Sequence, residues 1–129
     1  MLETRINKKN GKPYEILLEG VINCDDGQLT IVYKDVEGLI YCRNRVEFVQ
    51  KFRKVFTAEE KSKIINEGLT FTSDNDNEIF ICYEETETFS GYKITCNSRA
   101  YHKSEDLKEI EDSFNRIEDS YTGLFTWKL

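Results

Sequence analysis

Between Pro13 and Arg43 apolar and polar residues alternate in three short runs, separated by two stretches rich in turn formers. In the first run Tyr14, Ile16 and Leu18 are set against Glu15 and Glu19, the period of a strand, with Gly20 placed for a bulge or bend. Asp25-Asp26-Gly27 supplies the first turn. Residues 29–34 and 39–43 are β-branched and aromatic, and Asp35-Val36-Glu37-Gly38 joins them with a glycine suited to a left-handed position. Three strands with tight turns make an antiparallel meander. Short, bent strands of this kind are expected to curl into a small SH3-like barrel instead of exposing their edges.

The residues Gly11-Lys12, Tyr14-Glu15-Ile16-Leu17, Ile31-Val32-Tyr33, Gly38, Tyr41-Cys42-Arg43 and Val46-Glu47-Phe48 carry a resemblance. Over roughly the first 50 residues the chain resembles a small bacterial and phage domain family of unknown function. Its members read as a Lys-Gly turn, a Tyr-Glu strand, a Val-Val-Tyr strand and a Trp-Val-Arg strand followed by a Met-Phe pair. This chain departs from that pattern at Asn23-Cys24-Asp25, where the family has a His before the acidic turn, and at Tyr41 and Asn44, where it has Trp and Pro. The resemblance implies a fold and no activity.

Beyond the meander, Phe48, Phe52, Val55 and Phe56 recur at helical spacing and predict an amphipathic segment closing the barrel. Thr57-Ala58-Glu59-Glu60 has the form of a capping box opening a helix that Gly68 ends. A short strand over residues 69–72, a polar loop over 73–77 and a hairpin of residues 78–84 and 92–97 follow, the loop containing Gly91. Ser104 is placed to cap a last helix whose stripe is Leu107, Ile110, Phe114, Ile117 and Tyr121. The tail, with Leu124, Phe125 and Trp127, is apolar enough to dock as a final strand. The expected fold is therefore α+β: a meander or small SH3-like barrel, then helices, a C-terminal hairpin and an amphipathic helix. Residues 1–56 form the barrel-like unit and 57–129 the α+β unit, packed as one compact domain. Fifteen Phe and Tyr, one Trp and a single Pro argue for a folded core, because aromatic burial offsets chain entropy.

The apolar run from Ile79 to Tyr83 is far too short to span a bilayer, and residues 1–12 carry charges of both signs with no apolar signal core. A cytoplasmic protein is expected. Cys24, Cys42, Cys82 and Cys96 are spaced by 18, 40 and 14 residues, which matches no metal-site pattern, so each reads as a small hydrophobe with a free thiol. In the hairpin, a core register would pair Cys96 with Ile81 or Tyr83, turning Cys82 to the opposite face and keeping the two thiols apart.

The net charge of −6 is unevenly distributed. Residues 1–65 hold 12 Lys and Arg against 10 Asp and Glu, whereas residues 66–129 hold 6 against 14. An acidic half repels phosphate backbones, so general nucleic-acid binding is not expected unless it is confined to the N-terminal half. Lys51, Arg53, Lys54, Lys61 and Lys63 form the candidate basic patch there, otherwise a solvated helical face.

No motif carries a catalytic mechanism. Asp74, Asp76, Glu78 and Glu85 occupy positions 1, 3, 5 and 12 of a calcium loop, but Ile79 stands where the loop needs glycine, so a solvated acidic loop is expected and no metal. His102 is the lone histidine, and nothing fixes Cys96 or Ser104 beside it in a reactive geometry. Seven scattered glycines build no phosphate loop. A non-enzymatic protein without cofactors is expected, and two binding readings stay open. In the first, an acidic surface of Glu84, Glu85, Glu105, Asp106, Glu109 and Asp112 engages a basic surface of a protein partner, the build of an inhibitory or bacterial or phage defence-related module. In the second, Tyr33, Tyr41, Arg43 and Tyr92 line a pocket for a nucleotide-like ligand, with aromatic rings on the base and Arg on the phosphate.

Overall fold

The computed structural model describes residues 3–73, 75–121 and 123–127. The chain divides into two compact units, Met1–Val55 and Phe56–Leu129. Among the described residues there are nine strands in two antiparallel sheets and three helices, an α+β fold.

The first unit contains β1 (Thr4–Asn7), β2 (Pro13–Ile22), β3 (Leu29–Lys34), β4 (Ile40–Asn44), α1 (Arg45–Lys51) and β5 (Phe52–Lys54). Its sheet has the order β4-β3-β2-β1-β5. The meander is β2-β3-β4, and the pairing of β2 with β3 shifts register between Ile16 and Leu18 and again between Leu18 and Val21, around Gly20. The expected barrel is not seen closed, because β4 and β5 remain edges of an open sheet. β1 adds to the expected strands: its polar and charged run Thr-Arg-Ile-Asn lacks an apolar alternation, and its pairing with both β2 and β5 holds it in place. The Asn44 side chain accepts from the backbone N–H groups of Val46 and Glu47, opening α1. The expected helical segment through Phe56 is cut short: the chain turns extended at Phe52 and pairs with β1, while Phe56 belongs to the other unit. Phe48 and Phe52 still stack, with ring centroids 4.4 Å apart, and form the core of this unit with Tyr33 and Ile31.

The second unit contains α2 (Ala58–Asn66), β6 (Leu69–Thr72), β7 (Glu78–Glu85), β8 (Ser90–Cys96), β9 (Arg99–Ser104) and α3 (Leu107–Tyr121), with sheet order β6-β7-β8-β9. The expected capping box opens α2, Thr57 accepting from the Glu60 N–H while Glu60 accepts from the Thr57 N–H. Gly68 ends the helix at φ +84°, and a side chain there would meet the Phe80 ring at 2.6 Å. Phe56, Ile64, Phe71, Ile81, Ile94, Phe114 and Phe125 lie in one buried cluster.

Four expectations need correction here. The hairpin pairs Cys96 with Ile79, not with Ile81 or Tyr83, although Cys82 does face the other way, opposite Lys93. The cap of α3 is Asp106 and not Ser104: its carboxylate accepts from the Lys108 N–H at 2.9 Å, while Ser104 ends β9. The tail makes a single bridge, Thr126 to Thr72, and not a strand, with Leu124 and Phe125 buried beside it. None of the four cysteines is a buried hydrophobe: Cys24 and Cys42 are exposed, Cys82 and Cys96 half-buried.

Candidate functional site

The acidic residues singled out in the sequence gather at one end of the second sheet. Glu84 and Glu85 end β7, and Glu84 lies opposite Gly91 at the start of β8. A side chain at residue 91 would reach 2.7 Å from the Ser104 carbonyl oxygen and 3.1 Å from the Glu105 Cα, so the missing Cβ lets the end of β9 close against β8. That approach sets Glu105 beside the Glu84–Gly91 pair, and the chain turns at once into α3. Glu105, just before α3, and Glu109 and Asp112 on it are spaced by four and three residues, Asp112 half-buried and the other two exposed.

The carboxylates differ in what they do. Asp106 is the helix cap, and its own N–H donates to Ser104 Oγ at 3.0 Å. Glu109 accepts a short hydrogen bond from Ser104 Oγ and stands 4.0 Å from His102 Nε2. Glu84 pairs with Lys103 at 3.2 Å, and the same ammonium lies 5.5 Å from the Phe89 ring centroid. Glu85, Glu87 and Glu105 are exposed. Some of the acidic excess points inward instead: Glu60, Glu111 and Glu118 are buried, and each accepts an N–H, from Trp127, Phe56 and Phe125 respectively.

The residues expected to line a nucleotide pocket are divided between the two units. Tyr33, Tyr41 and Arg43 do meet, on the inner face of the first sheet, but Tyr33 is 3% exposed and is core. Arg43 donates to the Tyr33 hydroxyl at 3.3 Å and to Glu47 at 2.6 Å. Tyr41 stacks on Tyr33 and donates to Asp35 at 3.1 Å, a bond that pushes its phenol pKa up. Tyr92 belongs to the second unit, where it packs edge-on against Tyr83.

The residues of the candidate basic patch are likewise divided between the two units. Lys54 is fully buried beside Glu3, and Lys61 and Lys63 belong to the second unit, Lys63 paired with Glu67 at 3.3 Å. Lys51 instead shares a concavity with Lys8, Lys9 and Arg43. The adjacent Lys8-Lys9 pair was a visible signal, but its use depends on β1, which periodicity does not show. Of the calcium-loop positions, Asp74 lies outside the described residues, and Glu78 and Glu85 stand at opposite ends of β7, about 23 Å apart at strand rise, too far to share an ion. Among the described residues no group of His, Cys, Asp and Glu is placed to hold a metal ion, and no helix is long and apolar enough to cross a membrane.

A wider groove of about 650 Å³ lies between β9 and the end of α3. Tyr101, at a register shift of β9, and Tyr121, whose hydroxyl accepts from Asn97 at 3.4 Å, line it. Of the residues singled out in the sequence it contains Cys96, Ile117 and Tyr121. Comparison of the chain with known protein families, with curated proteins and with solved structures finds no match.

Proposed function

We propose that this protein acts by binding and not by catalysis, and that the acidic end of its second unit engages a basic surface of a partner protein. One observation carries the reading: acidic side chains from the end of β7, the loop after it and the first turns of α3 converge on one end of a sheet, with Lys103 as the cation ion-paired among them. Exposed carboxylates grouped in this way give an oriented field that raises the encounter rate with a cationic surface. The chain's excess of acidic residues lies in this unit, which holds sixteen Asp and Glu against eight Lys and Arg.

The test uses Glu85→Lys, Glu87→Lys and Glu105→Lys together, because these three are exposed and cap nothing. Partners captured from a lysate by the wild-type chain and by the triple variant are compared, and the association rate with the captured partner is measured over a salt series. The reading predicts a partner with a basic surface, an association rate that falls as salt rises, and loss of capture by the variant at unchanged melting temperature. Equal capture by the variant, or a rate indifferent to salt, refutes it.

A further inference from the structure

The first unit carries an assembly of opposite sign. Lys8 and Lys9 lie in the turn between β1 and β2, Arg43 on β4 and Lys51 at the end of α1, and with Asn7 and Gln50 they line a concavity of about 350 Å³ that has no acidic residue in its lining among the described residues. Their positions are fixed by the backbone. The Asn7 side chain accepts from the N–H groups of Lys9 and Asn10, at 2.8 and 3.1 Å, which shapes the turn. The Lys8 N–H donates to the Lys51 carbonyl oxygen at 2.9 Å and ties that turn to the end of the helix. Glu47 lies between Arg43 and Lys51, 2.6 and 3.0 Å from them, and the two cations hold its carboxyl below the ordinary range. Glu47 thus stands between two of the four cations. Mutual repulsion among like charges destabilises such a group, and an anion in the concavity relieves it.

An aromatic platform adjoins this concavity. Tyr41 and Arg43 alternate along β4 and share its inner face, about 7 Å apart at strand rise. Tyr33 covers one face of the Tyr41 ring, with centroids 5.6 Å apart and planes inclined by 22°, and Tyr14 meets it edge-on, yet Tyr41 stays 41% exposed. Asp35 holds the Tyr41 hydroxyl. Residue 35 follows β3 and faces Leu39 across the turn, its carboxylate accepting from the Leu39 N–H at 3.0 Å.

We propose that this unit binds a nucleoside phosphate, free or as a unit of single-stranded nucleic acid, with the phosphate held by Lys8, Lys9, Arg43 and Lys51 and the base stacked on Tyr41. Ammonium groups hold phosphate as point charges, Arg adds a planar donor, and stacking on an exposed aromatic ring tolerates any base. The site is distinct from the acidic end of the second unit and does not depend on it.

The experiment titrates the full chain with a fluorescently labelled ten-nucleotide single strand, with a nucleoside triphosphate and with inorganic phosphate, starting at about 50 mM salt, where phosphate contacts are strong. The oligonucleotide or the nucleotide is expected to bind, with affinity falling as salt rises, and to bind more tightly than inorganic phosphate. Lys8→Glu with Lys9→Glu should weaken binding at least tenfold, and Tyr41→Ala at least fivefold, while Tyr41→Phe, which keeps the ring, should bind like wild type. Melting temperatures of the variants separate loss of the site from loss of the fold. An oligonucleotide that binds well above the nucleotide identifies the polymer as the ligand, and equal affinities identify the free nucleotide. Absence of binding by both, or unchanged binding in the double lysine variant or in a folded Tyr41→Ala, overturns the proposal.

Discussion

Arg5 and Lys54 face each other across the pairing of β1 with β5, both fully buried, and the Glu3 carboxylate lies 3.0 Å from the one and 3.2 Å from the other. Two cations directly opposite in a sheet repel, and the carboxylate between them offsets that repulsion. Burial alone would raise the Glu3 pKa, but attraction to Arg5 and Lys54 and the bonds they donate outweigh it, and the pKa lies below the ordinary value.

Removing the Glu3 charge should therefore cost more than a surface ion pair does. Glu3→Gln is expected to lower the unfolding free energy by about 3 kcal/mol, since it leaves two buried cations without that carboxylate. Because the folded-state pKa is lowered, the contribution of Glu3 is complete above the ordinary value of 4.5 and is lost as pH falls through the folded-state value. Urea denaturation at pH 7 and at a series of acid pH values measures both effects. The difference between wild type and Glu3→Gln should shrink as the pH is lowered, and a difference that stays constant contradicts this role.

Glu60 joins the start of α2 to the chain's tail. One carboxylate oxygen accepts from the Thr57 N–H and the other from Trp127 Nε1, both at 2.8 Å. Glu60→Ala removes half the capping box and the indole's acceptor, and is expected to cost about 2 kcal/mol. Trp127 is the lone tryptophan, so its emission reports the tail directly. A red shift is expected in the variant at temperatures where its circular dichroism is still native, and unshifted emission would show that the tail is held without Glu60.

Gly68 combines a positive φ with a close neighbour, the Phe80 ring 2.6 Å from where a Cβ would stand. Gly68→Ala pays twice, through left-handed strain and through displacement of the ring, and should destabilise by roughly 2 kcal/mol. The melting temperature checks it, with Gly27→Ala as the comparison: its φ is +71° but nothing lies within 4 Å, so only the strain remains. Equal losses in the two variants would remove the steric part of the account.

What the sequence made legible was what neighbouring residues decide. The meander, the capping box at Thr57 and the stripe of α3 rest on local periodicity and caps, and all three are in the structure. Strand β9 escaped because Arg-Ala-Tyr-His-Lys-Ser is polar and lies on an exposed edge, and because its turn at Asn97-Ser98 takes positive φ without a glycine. The acidic end was partly legible, since Glu84 and Glu85 close one strand and Glu105 opens toward the next helix. Which of those acids are caps was not, and neither was the meeting of Lys8, Lys9, Arg43 and Lys51, which requires the long-range pairing of β1.

Cys82 and Cys96 lie on opposite faces of the second sheet, because Cys96 pairs with Ile79 and shares its face with Ile81, whereas Cys82 pairs with Lys93. A bond between them would require a three-residue slip of β7 against β8, an odd shift that carries Ile79, Ile81 and Ile94 out of the core, a loss greater than the few kcal/mol a disulfide contributes. Four free thiols are therefore expected with Ellman's reagent in denaturant without reductant. In the native protein the order of reaction is the sharper test. Cys24 and Cys42 are exposed and should react first; burial pushes the Cys82 thiol pKa up, so less of it is thiolate and it should lag behind them. Cys82→Ser identifies the slow phase by its disappearance. Fewer than four thiols in denaturant, or a Cys82 that reacts with the exposed pair, would show that the β7–β8 register is not the one described.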